Sequence, residues 1–292
     1  MHFWQNKIVL LLVAGLLLLS SGCSFLSANK AQQVAASPLL VKMLDVGQGD
    51  AILIRTAEQT VLIDSGDQDQ QAKLAGLLHK EGIEVIDKLI LTHPHADHIG
   101  GTAILFREFK VRAVYDNGQP TTTKLYRDYL KTVRDQAIEY GHLKRGDELA
   151  FGGGVAFKVL SPTQDMVKAG GEMNGNSIVG QLLFGSFSLL LTGDVEAEGE
   201  TAMVKAYGSA LKSDVLKAAH HGSKTSSSKA FLQAAAPAEV LISVGRDNEY
   251  GHPHKNIVNR YEKQQMKIYR TDQNGTITLR SDGKTYDIIG ER

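Results

Sequence analysis

The chain has 292 residues and a formal net charge of zero, and its hydrophobic content of 42% and charged content of 22% are typical of a globular protein. This length accommodates one large domain or two small ones with an ample core. The strong positive excess of many nucleic-acid-binding domains is absent, although a local basic groove remains compatible with this charge. The single cysteine, Cys23, excludes an internal disulfide.

The first residues have the pattern of an export signal. Lys7 precedes an apolar run from Ile8 to Leu19, whose twelve residues are too few for a membrane-spanning helix of about 20. Small residues follow in "SSGCS", and Cys23 lies where signal cleavage would expose it. This resembles the lipobox of bacterial lipoproteins, so we predict a lipoprotein-type signal peptide over residues 1–22 and a lipid anchor at Cys23.

Two other readings of this segment stay open, an ordinary secretory signal and an uncleaved signal anchor. All three imply export, either to the outer face of the cell membrane or as a secreted protein. Residues 1–22 hold one lysine and no acid, so their removal leaves 31 basic and 32 acidic residues. Residues 23–37 are small and polar and are predicted to form a flexible tether. Residues 38–292 contain no linker or repeat and are predicted to form one domain.

Beyond the tether, short apolar runs rich in β-forming residues alternate with helical patterns. The predicted strands, in chain order, are "LLVKMLDVG", "AILIRT", "TVLIDSG", "DKLILTH", "SIVGQLLFG", "FSLLLTGD", "SDVLKAAHHGS", "EVLISVG", "MKIYRT" and "GTITLRS". The predicted helices are "DQQAKLAGLLHKEG", "IGGTAILFREF", "KLYRDYLKTVRDQAIEYG" and "VEAEGETAMVKAYG". Strands and helices alternate in two similar halves, which predicts an α/β fold with two facing sheets and helices outside, a four-layer αββα sandwich.

The histidines are clustered, because seven of the ten lie in "THPHADH", "AAHHGS" and "YGHPH". In the first stretch, a strand ends and the alternation of His93 and His95 points both imidazoles into one space. Asp97 and His98 turn towards the same cavity. A solvated polar loop is the alternative, which the apolar residues on both sides disfavour. Imidazole and carboxylate groups without thiolate suit Zn²⁺, Mn²⁺ or iron.

Two later stretches supply further candidate groups. Asp194 ends a buried strand, where a carboxylate needs a compensating partner, and we favour a metal-bridging role over helix capping. In "AAHHGSKTSSS" the two histidines point in opposite directions if the strand continues, so one of them is expected to reach the metals. The N–H groups and hydroxyls from Gly222 to Ser227, with Lys224, suit a phosphate at a helix N-terminus, and capping by the serines alone is the alternative.

Several motifs together resemble a known family. "THPHADH" has the form of the HxHxDH signature of the metallo-β-lactamase superfamily. "LDVGQGDAILI", "LIDSG", "LTHPHADHIGG", "NSIVGQLLFGSFSLLLTGD" and "AAHHGSKTSSS" occur in the same order as in the hydrolase module of ComEC-type competence proteins. The resemblance covers residues 38–292 and implies two divalent ions, Zn²⁺ or Mn²⁺. By position it implies the ligands His93 and His95 for one metal, Asp97, His98 and His220 for the other, and a bridging Asp194.

The chain departs from the superfamily pattern at one place. Between His98 and Asp194 many members place another histidine ligand, whereas this chain has Asn174 and Asn176 in "GEMNGNSIV". An amide oxygen is a weaker ligand than imidazole, so the first metal is expected to bind loosely or only with substrate.

The function expected from these residues is that of a metal-dependent phosphodiesterase acting on extracellular nucleic acid, with no obligate protein partner. The alternatives are an envelope hydrolase of another ester, such as a choline phosphodiester, a lactone or a β-lactam, and a non-catalytic lipoprotein binding module. Catalytic roles are predicted for Asp97 and His221. Substrate or phosphate binding is predicted for Asn176, Ser177, Gly222, Ser223, Lys224 and His252.

Overall fold

A computed structural model describes residues 38–292, so the predicted signal peptide, the tether and Cys23 lie outside the described residues. The strands of the described chain are β1 Leu39–Met43, β2 Ile52–Arg55, β3 Thr60–Ile63, β4 Val85–Ile86, β5 Lys88–Ile90, β6 Lys110–Val111, β7 Ala113–Asp116, β8 Glu139–His142, β9 Glu148–Gly152, β10 Val155–Ser161, β11 Val179–Phe184, β12 Phe187–Leu191, β13 Val215–Lys217, β14 Glu239–Ile242, β15 Lys267–Arg270, β16 Ile277–Ser281 and β17 Tyr286–Gly290.

The helices lie between these strands and are mostly short. The α-helices are α1 Gln71–Lys80, α2 Ala96–Ile99, α3 Thr102–Glu108, α4 Lys124–Asp135, α5 Gln164–Lys168, α6 Ala197–Tyr207, α7 Lys229–Ala235, α8 Lys255–Lys263 and α9 Thr271–Asn274. Single 3₁₀ turns span Gln68–Gln70, Asn174–Asn176, Gly208–Leu211 and Ala219–Gly222. Within residues 38–292, no helix has the length and apolar character needed to cross a membrane.

Two large mixed sheets carry most of the strands. The first has eight strands in the order β17-β16-β1-β2-β3-β5-β7-β8, and the second has seven in the order β15-β14-β13-β12-β11-β10-β9. The short strands β4 and β6 form a separate parallel pair. The predicted strands "SIVGQLLFG" and "FSLLLTGD" form β11 and β12, which pair as a hairpin with Leu182 opposite Leu189.

Three buried clusters separate four layers, which confirms the αββα sandwich. The first lies between the sheets and joins residues such as Val41 and Ile54 of one sheet to Phe157 and Leu189 of the other. The second packs α1, α3 and α4 against the outer face of the first sheet. The third packs α6, α7 and α8 against the second sheet in the same way. Inner strands such as β3, β13 and β14 therefore bury both faces, which explains their near-continuous apolar runs in the sequence.

The parallel strands of the two sheets place their carboxyl ends at the candidate site. In the first sheet β3, β5 and β7 run parallel, and in the second β12, β13, β14 and β15 do. Asp64 follows β3, His93 follows β5 shortly after, Asp194 follows β12, and His221 follows β13. Loops at carboxyl strand ends are the usual place for a ligand site in an α/β fold.

Some elements differ from the sequence prediction. The predicted helix from Lys124 ends at Asp135, and its last residues form the exposed edge strand β8, whose polar sequence carries no strand pattern. The helix predicted after the histidine loop is broken between α2 and α3. At the break, Gly101 packs closely against the neighbouring loop. A Cβ at this position would lie 2.1 Å from the Ser65 carbonyl oxygen.

Candidate metal centre

The histidine loop is held by backbone contacts with the loops beside it. The Ser65 N–H and hydroxyl both donate to the His98 carbonyl oxygen, at 2.7 Å and 2.9 Å. The Asp50 N–H donates to the Asp97 carbonyl oxygen at 3.1 Å. Gly49 permits this approach, since a Cβ there would lie 2.3 Å from the same oxygen. Gly49 and Asp50 of "VGQGD" therefore position the backbone that carries the predicted ligands.

Four side chains from both sheets converge at the centre. Asp97, His98, Asp194 and His221 each offer a ligand atom within 4.8 Å of the others. The Asp194 carboxylate lies 3.2 Å from His98 Nε2 and 3.4 Å from His221 Nε2, and Asp97 Oδ2 lies 3.2 Å from His221 Nε2. The arrangement joins a loop of the first sheet to two loops of the second.

An unpaired nitrogen and the chemistry of these groups fit a divalent metal ion. Within the described residues, His98 Nε2 is buried without a hydrogen-bond partner, and it lies close to Asp194 Oδ2. The other nitrogen of His98, Nδ1, lies 2.8 Å from Asp64 Oδ2, which orients the ring and leaves Nε2 directed at the centre. Imidazole and carboxylate ligands without thiolate are a common donor set for Zn²⁺, Mn²⁺ and iron.

Opposite charges compensate one another in this cluster. Burial opposes the charged form of His221, but the Asp194 carboxylate and the hydrogen bond to Asp97 outweigh it and raise the pKa of His221 to about 10. Burial likewise favours protonation of Asp194, yet His98 and His221 hold the pKa of this carboxyl well below its usual value. A metal ion that binds here must displace protons from the imidazoles, so binding and proton release are linked.

The two other histidines of the loop lie next to the cluster. His93 Nε2 is 2.9 Å from His95 Nδ1, and the ring centroids of His93 and His98 are 4.1 Å apart. Burial, reinforced by the charge of His98, lowers the pKa of His93 well below its usual value. A neutral imidazole is the form that binds metal, and the pKa of His93 favours this form. The assignment of His93 and His95 to a first metal remains a prediction.

The two histidines after β13 do not alternate as the sequence pattern suggested. The strand ends at Lys217, and both residues adopt left-handed backbone angles, with φ of 50° and 52°. One of the two, His221, belongs to the four-residue cluster, whereas the resemblance implied His220 as the ligand. His221 is buried in the four-residue cluster, while His220 Nε2 lies 3.8 Å from Asp194 and Nδ1 lies 3.3 Å from Glu196. This geometry gives His221, predicted as catalytic, a better ligand position than His220.

The predicted phosphate-binding turn has its N–H groups engaged inside the protein. The helix begins at Lys229, later than expected, with Ser228 as its N-cap. The Ser227 and Ser228 N–H groups both donate to the buried carboxylate of Glu200. Glu200 thus occupies the place that the sequence pattern indicated for a phosphate.

Gly222, Ser223 and Lys224, which were predicted to bind phosphate in that turn, do not form a free anion-binding site. The Ser223 N–H donates to the His220 carbonyl oxygen, and the Lys224 N–H donates to His254 Nδ1. The Lys224 side chain is exposed, and a Cβ on Gly222 would meet Pro253 at 2.6 Å. The turn is therefore closed by internal contacts.

In the asparagine region, the cavity is lined by Asn174 and not by Asn176, which was predicted to bind substrate. Asn176 is buried, and its Nδ2 donates to Gln119 Oε1 at 3.0 Å, so its side chain serves the structure of the loop. Ser177 accepts a hydrogen bond from the Asp194 N–H at 3.2 Å. Asn174 lines the cavity, and its buried Oδ1 has no hydrogen-bond partner in the described chain. The substrate-binding prediction for Asn176 therefore does not fit, and Asn174 presents the free amide oxygen.

An open cavity of about 320 Å³ leads to the cluster. It is lined by Gln48, Asp67, His95, Ala96, Asp97, Asn174, Asp194, His220, His221, Tyr250 and His252. The predicted His252 is among them, and burial together with the neighbouring histidines lowers its pKa to about 4. No lysine or arginine of the described residues lines this cavity.

Three buried charged residues behind the centre were missed by the sequence predictions. Asp64 orients His98, and the Lys217 ammonium contacts Asp50 and lies 3.6 Å from Asp194 Oδ1. Asp64 lies directly after an apolar strand in "LIDSG", Lys217 lies within one in "VLKAA", and Asp50 lies shortly before one in "GDAILI". A charge in such a place needs a partner, and this was the available signal.

Comparison with known proteins agrees with this arrangement. A family model described as the metallo-beta-lactamase superfamily matches residues 44–246. ComE operon protein 3 of Bacillus subtilis is 36% identical over 262 residues, covering 82% of this chain and 33% of that protein. Competence protein ComA of Neisseria gonorrhoeae is 32% identical over 247 residues, covering 84% and 33%. The chain thus spans about a third of the length of these relatives.

A solved structure shares the fold at low sequence identity. The metallo-beta-lactamase fold protein YhfI from Bacillus subtilis superimposes with a TM-score of 0.52 at 13% identity, covering 81% of this chain and 98% of that chain. At this identity the likeness concerns the fold alone.

Proposed function

The chain belongs to the metallo-β-lactamase superfamily, and from this premise we propose that it is a binuclear metal-dependent phosphodiesterase acting on extracellular nucleic acid. The observation that carries the proposal is the cluster of Asp97, His98, Asp194 and His221, three of which line an open cavity. Relatives named for competence support a nucleic-acid substrate. The export signal predicted in residues 1–22 supports an extracellular site of action.

The proposed ligands divide between the two sides of the centre. His93 and His95 would hold one ion, and Asp97, His98 and His221 the other, with Asp194 between them and His220 beside it. When bound, divalent ions compensate negative charge on a phosphoryl oxygen and lower the pKa of water. Because no lysine or arginine lines the cavity within the described chain, the charge of the phosphate would depend on these ions.

Asp97 is the best placed proton acceptor. Its side chain is 26% exposed and lines the cavity, whereas Asp194 is 2% exposed. The Asp97 Oδ2 atom is also held by His221 at 3.2 Å, so its direction is set. We assign to this oxygen the orientation of the attacking water and the acceptance of its proton.

The test uses purified residues 38–292 loaded with Mn²⁺ or Zn²⁺, with the bound metal counted. Bis-p-nitrophenyl phosphate and labelled single- and double-stranded DNA and RNA are the substrates. Asp97→Ala is expected to lower the rate about 10²- to 10⁴-fold. Asp69→Ala, which removes an exposed carboxylate outside the cavity, is the control. Metal content of both variants separates loss of an ion from loss of the proton acceptor.

The proposal fails if the metal-loaded protein leaves every nucleic acid uncut. Hydrolysis of nitrocefin or a lactone in place of phosphodiesters would indicate another ester as substrate. Two bound metals without any turnover would indicate a binding module.

A further inference from the structure

Tyr250 is an exposed aromatic residue at the edge of the catalytic cavity. Its side chain lines the cavity and is 57% exposed, more than any other large hydrophobic residue of the described chain. Exposed single apolar residues are common. This one lies at the mouth of a candidate active site, and one face of its ring is already covered by an aromatic neighbour.

The Tyr250 ring belongs to a stack that leads inward to the metal cluster. Its centroid lies 5.7 Å from that of His252, with the planes 24° apart. The His252 ring in turn lies 6.2 Å from His221, with the planes 28° apart. His221 contacts both Asp97 and Asp194. A flat group placed on the free face of Tyr250 would therefore be separated from His221 by two rings, those of Tyr250 and His252.

The loop that carries Tyr250 is braced internally. The Asn248 side chain accepts a hydrogen bond from the His252 N–H at 2.9 Å and donates to the carbonyl oxygens of Gly245 and His252. The ring is thus presented by a turn with fixed ends. A preorganised aromatic surface loses little conformational entropy when a ligand stacks on it.

The cavity lacks the groups that usually supply affinity for nucleic acid. Contacts from lysine and arginine to phosphates provide most non-specific binding in other proteins. Here no lysine or arginine side chain lines the described cavity. Stacking of bases on aromatic rings is the other general source of affinity for single strands, and it tolerates any base sequence.

We propose that Tyr250 is a specificity-determining residue that stacks on a nucleobase of the bound strand at the mouth of the cavity. This inference rests on the proposed phosphodiesterase function. It makes the site selective for single-stranded nucleic acid, since the base faces in a duplex are already stacked on their neighbours. It also predicts a preference for a strand with bases over the same backbone without them.

The experiment compares oligothymidylate with an abasic strand of the same length in the metal-loaded protein. Wild type is expected to favour the strand with bases by about fivefold or more in KM, and Tyr250→Ala to bring this ratio close to one. Tyr250→Phe keeps the ring and should keep the ratio. Ile289→Ala, which removes an exposed apolar side chain outside the cavity, should match wild type. An unchanged ratio in Tyr250→Ala overturns the proposal.

A second measurement separates this inference from the proposed function. Binding of fluorescent oligothymidylate and of the fluorescent abasic strand is followed by anisotropy for wild type and Tyr250→Ala. If the protein cleaves the strands but Tyr250→Ala binds them as tightly as wild type does, only the stacking role is refuted. If binding is weaker in Tyr250→Ala and no strand is cleaved, the proposed phosphodiesterase function is refuted and the stacking role is kept. If the protein neither binds nor cleaves the strands, both proposals are refuted.

Discussion

The ammonium group of Lys217 lies wholly inside the protein, in contact with the Asp50 carboxylate and 2.9 Å from the Gly193 carbonyl oxygen. Burial lowers the pKa of a lysine, but the Asp50 and Asp194 carboxylates outweigh it and raise the pKa of Lys217 above its usual value. Lys217 faces Asp194 Oδ1, whereas His98 and His221 face Oδ2. A permanent cation on one side of Asp194 thus leaves the other oxygen directed at the centre.

The first prediction concerns this buried charge. Lys217→Met leaves the carboxylate of Asp50 buried without its partner, and we expect a loss of about 3–5 kcal/mol in the free energy of unfolding. Urea denaturation of the metal-free domain measures it. The double variant with Asp50→Asn should lose less, because the uncompensated charge is gone. Lys212→Met, an exposed lysine, is the control and should change stability by less than about 0.5 kcal/mol. A loss below about 1 kcal/mol for Lys217→Met would contradict the ion pair.

At the scale of elements, strands and the histidine loop could be predicted because their signals are local. The apolar run of β5 ends shortly before the histidines, and the apolar run of β12 ends shortly before Asp194. The turn that carries His220 and His221 could not be predicted, since left-handed angles at two non-glycine residues depend on contacts made elsewhere. The same holds for Glu200, whose partners lie 27 and 28 residues further along the chain.

Glu200 links helix α6 to this turn and provides the second prediction. Its carboxylate is buried and accepts from two backbone N–H groups, so Glu200→Gln replaces one acceptor by an N–H donor. We expect a loss of about 1–3 kcal/mol and faster hydrogen exchange over residues 219–228. Glu198→Gln, an exposed position on the same helix, is the matched control. Unchanged exchange in this turn would show that other contacts hold it.

The third prediction uses the ion pair between β7 and β8. His142 Nδ1 lies 2.8 Å from Asp116 Oδ1, and this hydrogen bond raises the pKa of His142 above its usual 6.5. A raised pKa in the folded state means that the contribution to stability is complete below about pH 6.5. It is lost as the pH rises through the folded value.

Measurement of this contribution compares wild type with His142→Gln by urea denaturation across pH. The variant should be less stable than wild type near pH 5.5, and the difference should shrink towards pH 9. His79→Gln serves as a control, because this histidine pairs with Glu108 at an exposed position. A stability difference that is constant with pH, or that grows as the pH rises, would contradict a raised pKa of His142 in the folded state.

At the scale of the whole molecule, the centre joins the two sheets. Asp97 and His98 belong to a loop of the eight-stranded sheet, while Asp194 and His221 belong to loops of the seven-stranded sheet. The large core between the sheets holds them together through apolar contacts. The polar edge of the sandwich has no such core, and its buried carboxylates and imidazoles compensate one another. A bound divalent ion would therefore connect both halves at this edge.

The last prediction follows from this connection. A ligand that binds only the folded state at about 100 times its Kd stabilises it by about 2.7 kcal/mol. For a domain of this size we expect the Tm to rise by about 5–10 °C when Zn²⁺ or Mn²⁺ is added to chelator-treated protein. His98→Gln and His221→Gln remove a ligand from opposite sheets, and each should abolish most of the rise. His142→Gln keeps the centre intact and should retain it. A rise that survives in both ligand variants would mean that the ion binds elsewhere, whereas a rise lost in only one would mean that the ion is held by a single sheet.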